Sequence, residues 1–290
     1  MHVIRSSANP IIRPHMDDRM GDNVNGPSLI RMPDWVTAPL GRYYLYFAHH
    51  DGRYIRLAYA DDLDGPWKIH RPGVLSLADA RFIGHVASPD VHVDHAQRRI
   101  RMYFHGADQP SAPGRGPQYS RVALSSDGLE FQCGAENLGA PYFRVFEWRG
   151  WHYAMAMPGI FYRSRDGLRG FERGPTWAMP SLRHTALVLD GNVLTVYFTL
   201  VGECPERIRR GRVDLARDWF EWHLEDIEDV LAPEEDYEGA HAPRVPSARG
   251  LVEGPAYQLR DPAIHCEDGR TWLLYSIAGE AGIAMAELRE

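Results

Sequence analysis

A pattern of three strand-like lines recurs five times along this 290-residue chain, and very few folds accept such a repeat. The first line opens after a proline or polar pair: NGPSLIRM from Asn25, SPDVHVDH from Ser88, APYFRVFEW from Ala140, RHTALVLDG from Arg183 and RDPAIHCEDG from Arg260. The second is rich in aromatics: YYLYFAHH, RIRMYFHGA, WHYAMAMPG, VLTVYFTLVG and TWLLYSIAG. A third line follows, and in the first four copies an Asp-containing turn then leads to an aromatic, as a tight turn does before a fourth edge strand.

Four antiparallel strands repeated five times predict an all-β, five-bladed β-propeller forming one domain over 1–290. The fifth copy ends at Glu290 before its edge strand, so the N-terminal segment HVIRSSANPII is expected to supply that strand and close the ring. Helical periodicity is confined to DLARDWFEWHLEDIEDVLAPEEDYEG, where a short helix fits and the acidic run Glu225 to Glu238 reads as a solvated loop.

A formal charge of −7 argues against a nucleic-acid partner, which needs clustered excess Lys and Arg. Cys133, Cys204 and Cys266 form no metal or disulfide spacing. No apolar run approaches a membrane span and the N-terminus lacks secretory organisation, so a cytoplasmic location and no membrane partner are the default expectation. The 14 Tyr, 8 Trp and 14 His suit a site for polar, ring-shaped ligands.

In a propeller the first strand of each blade lines the channel, and its start lies on the same face as the end of the second strand. One ring at the channel mouth is therefore expected to hold Asn25, Asp90, Tyr142 or Arg144, Arg183 with His184, and Arg260 with Asp261. A second ring is expected to hold His49 and His50, His105, Met157, Glu203 and Glu280, with His85 just before blade two. A mouth so rich in titrating and donating groups is the default site for a small polar ligand.

The SPDV and RDPAI openings and the tyrosine-rich second strands resemble the five-bladed propeller glycosidases of glycoside hydrolase family 43, with the related fructosidase and mannoside-phosphorylase families. The resemblance implies hydrolysis of a small glycan or glycoside by general acid–base catalysis with inversion. Asp90 matches the family carboxylate that tunes the acid and orients the sugar. Asn25 occupies the base position, with Asp22 the nearest carboxylate, and blade three lacks the acid Glu; the one EGP, Glu253 to Pro255, precedes blade five. His184 resembles a channel histidine that in some members holds calcium or its water, so a structural calcium or other divalent ion is an expectation, with no cofactor required.

An inverting pair needs two carboxyls with room for a water between them, and Asp90 and Asp261 are the expected pair. Arg260 and Arg183 are expected to depress Asp261, making it the base, with Glu203 or Glu253 as acid and Asp22 as a further catalytic candidate. Asn25, His49, His50, His85, His105, Tyr142, Arg144, Arg183, His184 and Arg260 are the expected sugar-binding groups. Alternatives are a carbohydrate-binding propeller without turnover, or phosphorolysis, elimination or metal-assisted chemistry at the same mouth.

Overall fold

Residues 1–109 and 116–290 are described by a computed structural model. After β1 (His2–Arg5), blade 1 holds β2 (Asn25–Arg31), β3 (Tyr43–Ala48), β4 (Tyr54–Ala60) and the short β5 (Lys68–Ile69) and β6 (Leu75–Ser76). Blade 2 holds β7 (Val86–Asp94), β8 (Arg99–Ala107), β9 (Gln118–Ser125) and β10 (Gln132–Cys133); blade 3 holds β11 (Arg144–Trp148), β12 (Trp151–Ala156), β13 (Ile160–Ser164) and β14 (Glu172–Thr176). Blade 4 holds β15 (Leu182–Asp190), β16 (Val193–Leu200), β17 (Ile208–Asp214) and β18 (Glu225–Leu231); blade 5 holds β19 (Arg260–Glu267), β20 (Arg270–Ser276) and β21 (Ile283–Arg289). Each sheet is an antiparallel meander, and β1 pairs with β21 through Val3 opposite Leu288, so the N-terminus closes the ring as its sequence suggests.

The alternation of side chains along a strand explains why a second line can be apolar on both faces, as β3 is. In β3, Tyr43, Leu45 and Phe47 pack toward blade 5, while Tyr44, Tyr46 and Ala48 pack toward blade 2. Buried on both faces, such a strand needs no polar side. Among the described residues the buried apolar groups form five clusters, one at each seam between neighbouring blades. Truncating a fully buried seam residue such as Phe47 to Ala would cost about 3–5 kcal/mol.

Two seams share a polar lock. The Asp-Gly turns of blades 2 and 3 offer the carbonyls of Gly128 and Gly167 to the hydroxyls of Tyr46 and Tyr103 in the preceding blades, at 3.0 and 2.7 Å. A Cβ on either glycine would lie under 3 Å from the tyrosine hydroxyl, so the close approach itself requires glycine.

The acidic stretch departs from expectation. Glu225–Leu231 is the fourth strand of blade 4, paired to β17, because Arg209 and Arg210 of β17 face Asp229 and Glu228 across the ladder. The expected helix shrinks to 3-10 turns at Trp219–Glu221 and Asp236–Glu238. Trp219 is buried in the seam between blades 3 and 4, which fixes the first turn by packing. Among the described residues no helix is long and apolar enough to cross a membrane.

Candidate active site

Every inner strand carries one extra residue near its start. Asn25 and Ser28 pair with Ala48 and Tyr46, Ala87 and Asp90 with His105 and Tyr103, Arg183 and Ala186 with Thr199 and Tyr197, and Arg260 and Ala263 with Ser276 and Leu274. Blade 3 does the same, with Pro141 bonded to Met157 and Arg144 opposite Met155. The extra residue has left-handed backbone in all five: Gly26, Ser88, Tyr142, His184 and Asp261, with φ from 46 to 67°. Such bulges re-aim side chains, and four of the five positions hold the strained φ without glycine.

The bulges correct the expected ring. Position for position, Ser88 rather than Asp90 matches His184 and Asp261. Asp90 lies two residues further on, in a layer with Ser28, Arg144, Ala186 and Ala263, and faces a cavity of about 360 Å³ toward the other end of the channel. There its Oδ2 accepts from His92 Nε2 at 2.7 Å and from the Val145 N–H at 2.9 Å. Burial works against the charged carboxylate, but His92, Arg144 and Val145 outweigh it and hold Asp90 below the usual range. Arg144 is likewise not a mouth residue: its guanidinium donates to the carbonyls of Ser88, Thr185 and Phe143 and ties blades 2, 3 and 4 together.

The mouth itself is two adjoining chambers separated by the segment 249–255. The central one, about 640 Å³, is lined by His50, His85, His105 and His184, with Tyr142, Arg183, Gln118, Met157 and Arg249. Tyr142 stacks on His105 with ring centroids 4.0 Å apart and lies 5.2 Å from the His184 ring. The side chamber, about 650 Å³, brings together Asp22, Asn23, His49, Glu253 and Glu280. His49 and His50 are consecutive residues after β3, and they serve different chambers.

Behind these walls lies a buried ionic network. Glu206, fully buried, takes both Nε and Nη2 of Arg183 at 2.9 and 2.6 Å, and Arg260 Nε lies 3.6 Å from it. Arg260 Nη1 also reaches Glu280 at 3.0 Å. Glu280 further accepts from Asn23 at 2.6 Å and contacts His50 Nδ1 at 2.9 Å. Asn25 does not line the mouth; it donates to Asn23 at 3.2 Å and so braces the group that orients Glu280.

Asp261 is only 3% exposed and accepts from the Ser276 hydroxyl at 3.0 Å. His184 Nδ1 approaches its other oxygen at 3.3 Å, without hydrogen-bond alignment. Burial first, and the Glu280 charge second, push the Asp261 carboxyl up to about 6. This overturns the expectation of a depressed carboxyl: Arg260 and Arg183 do lower it, but burial and the Glu280 charge outweigh them. Burial also disfavours the charged form of Glu280, yet His50, Arg260 and Asn23 outweigh it and hold that carboxyl at about 2. Burial and the charges of Arg183, Arg260 and Arg144 drive His184 well below the ordinary histidine value.

Of the remaining candidates, Glu203 pairs with Arg209 at 2.7 Å and lines neither chamber, although burial raises its carboxyl. Asp22 is exposed and contacts His15 at 2.6 Å; Glu253 is exposed, with no cation paired to it among the described residues. His184 does not suit a divalent ion. It is surrounded by three guanidinium groups, and among the described residues no group of three His, Cys, Asp or Glu could hold a metal. Glu206 and Arg249 were not legible as site residues, since both lie in irregular segments outside the repeat.

Blades, channel and chambers define the five-bladed propeller fold of the family 43 glycoside hydrolases. A glycosyl hydrolase from Bacteroides ovatus superposes with a TM-score of 0.70 at 11% identity, covering 99% of this chain and 93% of that one. A GH43 β-xylosidase/α-arabinofuranosidase from a compost microbial metagenome, in complex with xylotriose, gives 0.63 at 13% identity, covering 100% and 96%. An α-L-arabinanase of Cellvibrio cellulosa complexed with arabinohexaose gives 0.60 at 12%, covering 92% of each. The sequence matches no protein-family model. The chain belongs to the same family as uncharacterized protein R118 of Acanthamoeba polyphaga mimivirus, to which it is 36% identical over 99% of its own length and 90% of that protein's.

Proposed function

We propose that this protein is a glycoside hydrolase that cleaves a short glycan or small glycoside at the channel mouth by general acid–base catalysis with inversion. The observation that carries the reading is the pair Asp261 and Glu280, whose carboxyls are held at about 6 and about 2. Two carboxyls pushed apart by their surroundings are how one site keeps an acid protonated beside an ionised partner near neutral pH.

In this reading Asp261 supplies the leaving oxygen's proton through His184, which lines the central chamber with its Nδ1 3.3 Å from the carboxyl: Nδ1 takes the Asp261 proton as Nε2 gives one to the leaving oxygen. Glu280 stays ionised and raises Asp261. The two oxygens of Glu280 already accept from Arg260 and Asn23, so water activation falls to Glu253, which the segment 249–255 presents to the side chamber. Tyr142 and the chamber histidines stack on and donate to the sugar. The glycosidase names of the solved relatives support the substrate class.

The test incubates the protein, with and without EDTA, with aryl glycosides and short oligosaccharides, and follows product and its first anomer by NMR. Asp261→Asn should lower kcat at least about 100-fold and Glu253→Gln by a similar factor, both with the fold intact. Turnover that survives Asp261→Asn would sink the assignment. One observation favours a second reading: among the described residues no carboxylate lines the central chamber. Sugar binding without product release would establish a carbohydrate-binding propeller instead.

A further inference from the structure

The two chambers of the mouth differ in chemistry. The side chamber presents the carboxylates Asp22, Glu253 and Glu280, whereas among the described residues the central chamber has no carboxylate: its histidines, Tyr142 and Gln118 donate and accept, and its two guanidiniums, Arg183 and Arg249, only donate. Asp261 lies behind His184, buried, rather than on the wall. A neutral sugar offers hydroxyls that both donate and accept, and a wall matched to it carries carboxylates as well as donors. This wall is one-sided in charge.

The cations in it are not equivalent. Arg183 is committed to Glu206 through two bonds and to the Ala248 carbonyl at 3.1 Å. Arg249 is exposed on the ridge between the chambers, and among the described residues it contacts only the Pro180 carbonyl and the Met157 sulfur. No carboxylate neutralises it, in a protein whose net charge is −7. A guanidinium kept free at the rim of this chamber suits a planar oxyanion, which it can engage with two N–H groups.

We propose that the central chamber binds an anionic substituent of the glycan, such as a uronate carboxylate, with Arg249 as its principal charge partner. The inference rests on the glycosidase reading and narrows its substrate class to acidic glycans. The sugar carrying the anion occupies the central chamber, and the neighbouring residue of the glycan extends over the ridge into the side chamber. Arg249 is a specificity residue and takes no part in proton transfer.

The experiment compares 4-nitrophenyl glycosides matched except for a C6 carboxylate, glucuronide with glucoside and galacturonide with galactoside, by calorimetric binding and turnover. Inorganic phosphate is included alone and with each. Wild type should bind the acidic member about tenfold more tightly, with the preference shrinking as salt rises. Arg249→Gln should erase that preference while changing neutral binding less than about twofold and leaving the melting temperature in place. Equal binding of acidic and neutral members, or a variant that weakens both alike, overturns the proposal and leaves the glycosidase reading standing. A requirement for phosphate in turnover also overturns it, since the anion would then be a separate reactant. Failure of every glycoside to bind overturns both readings.

Discussion

Asp261 and Asp90 invite comparison because both sit near a bulged, proline-containing strand opening, Asp261 buried and Asp90 partly so, each with a histidine and an arginine close by. Their carboxyls move in opposite directions, up to about 6 for Asp261 and below the ordinary value for Asp90. The difference is one of committed donors. Asp90 has a backbone N–H and an aligned imidazole on one oxygen, and His92 is itself raised because the Asp90 charge outweighs its burial. Asp261 has one serine hydroxyl and an unaligned histidine, and a second carboxylate acts on it. Arg260 and Arg183 lower Asp261, but burial and the Glu280 charge outweigh them, so an arginine next in sequence does not by itself fix the direction.

The largest expected separation is in turnover. Asp261→Asn should remove about 100-fold or more of kcat on any glycoside the protein cleaves, whereas Asp90→Asn should change it less than about threefold. Equal losses in steady-state assays would erase the distinction between the two layers.

Next in size is the network on the Asp261 side. Glu206→Gln leaves Arg183 and Arg260 buried without their shared carboxylate, and should cost about 3–5 kcal/mol in denaturant unfolding. The freed guanidinium charge should also lower the Asp261 carboxyl, moving the basic limb of the pH–rate profile downward. An unchanged profile would mean that Asp261 does not sense the network.

The pH dependence of stability should then carry opposite signs at the two sites. Between its unfolded value of 3.8 and its folded value of about 6, Asp261 holds a proton that the unfolded chain has released. Its contribution is complete below 3.8 and is lost as pH rises through 6, a total of about 3 kcal/mol. Asp261→Asn should therefore gain on wild type by about that amount between pH 4 and 7.5 in urea titrations. Asp90 contributes stability that is complete above its unfolded value of 3.8 and is lost as pH falls toward its lower folded value, so the deficit of Asp90→Asn should be flat above pH 4 with respect to this carboxyl and should shrink below it. A pH-independent gap for either variant would contradict its assigned direction.

The smallest effect concerns Asp90 alone. Removing its charge leaves the Val145 N–H and His92 with a poorer acceptor, and Asp90→Asn should destabilise by about 1–3 kcal/mol at pH 7. A fully neutral substitution would show that the far layer of the channel is not braced by this pair.

The sequence by itself determined the architecture. Period-two aromatic strands buried on both faces, Asp-Gly turns at recurring offsets and a fifth blade one strand short leave few alternatives to a five-bladed ring closed by its N-terminus. These are local signals, repeated, and each repeat confirms the last. It also marked most of the central chamber, because strand ends on one face of a propeller must converge: His50, His85, His105, Tyr142, Arg183 and His184 all line it. Tertiary structure alone decided the layer in which each carboxylate lies. A single extra residue per inner strand shifts the register, and that shift puts Ser88 in the layer of His184 and Asp261 and Asp90 in the layer below it. Nor could the sequence show which cations are free, since Glu206 meets Arg183 and Glu280 meets Arg260 only in the folded blades, and Arg260 approaches Glu206 only when blades 4 and 5 come together. A carboxyl's proton affinity depends on the few ångströms around it, and those distances are set by the closed ring.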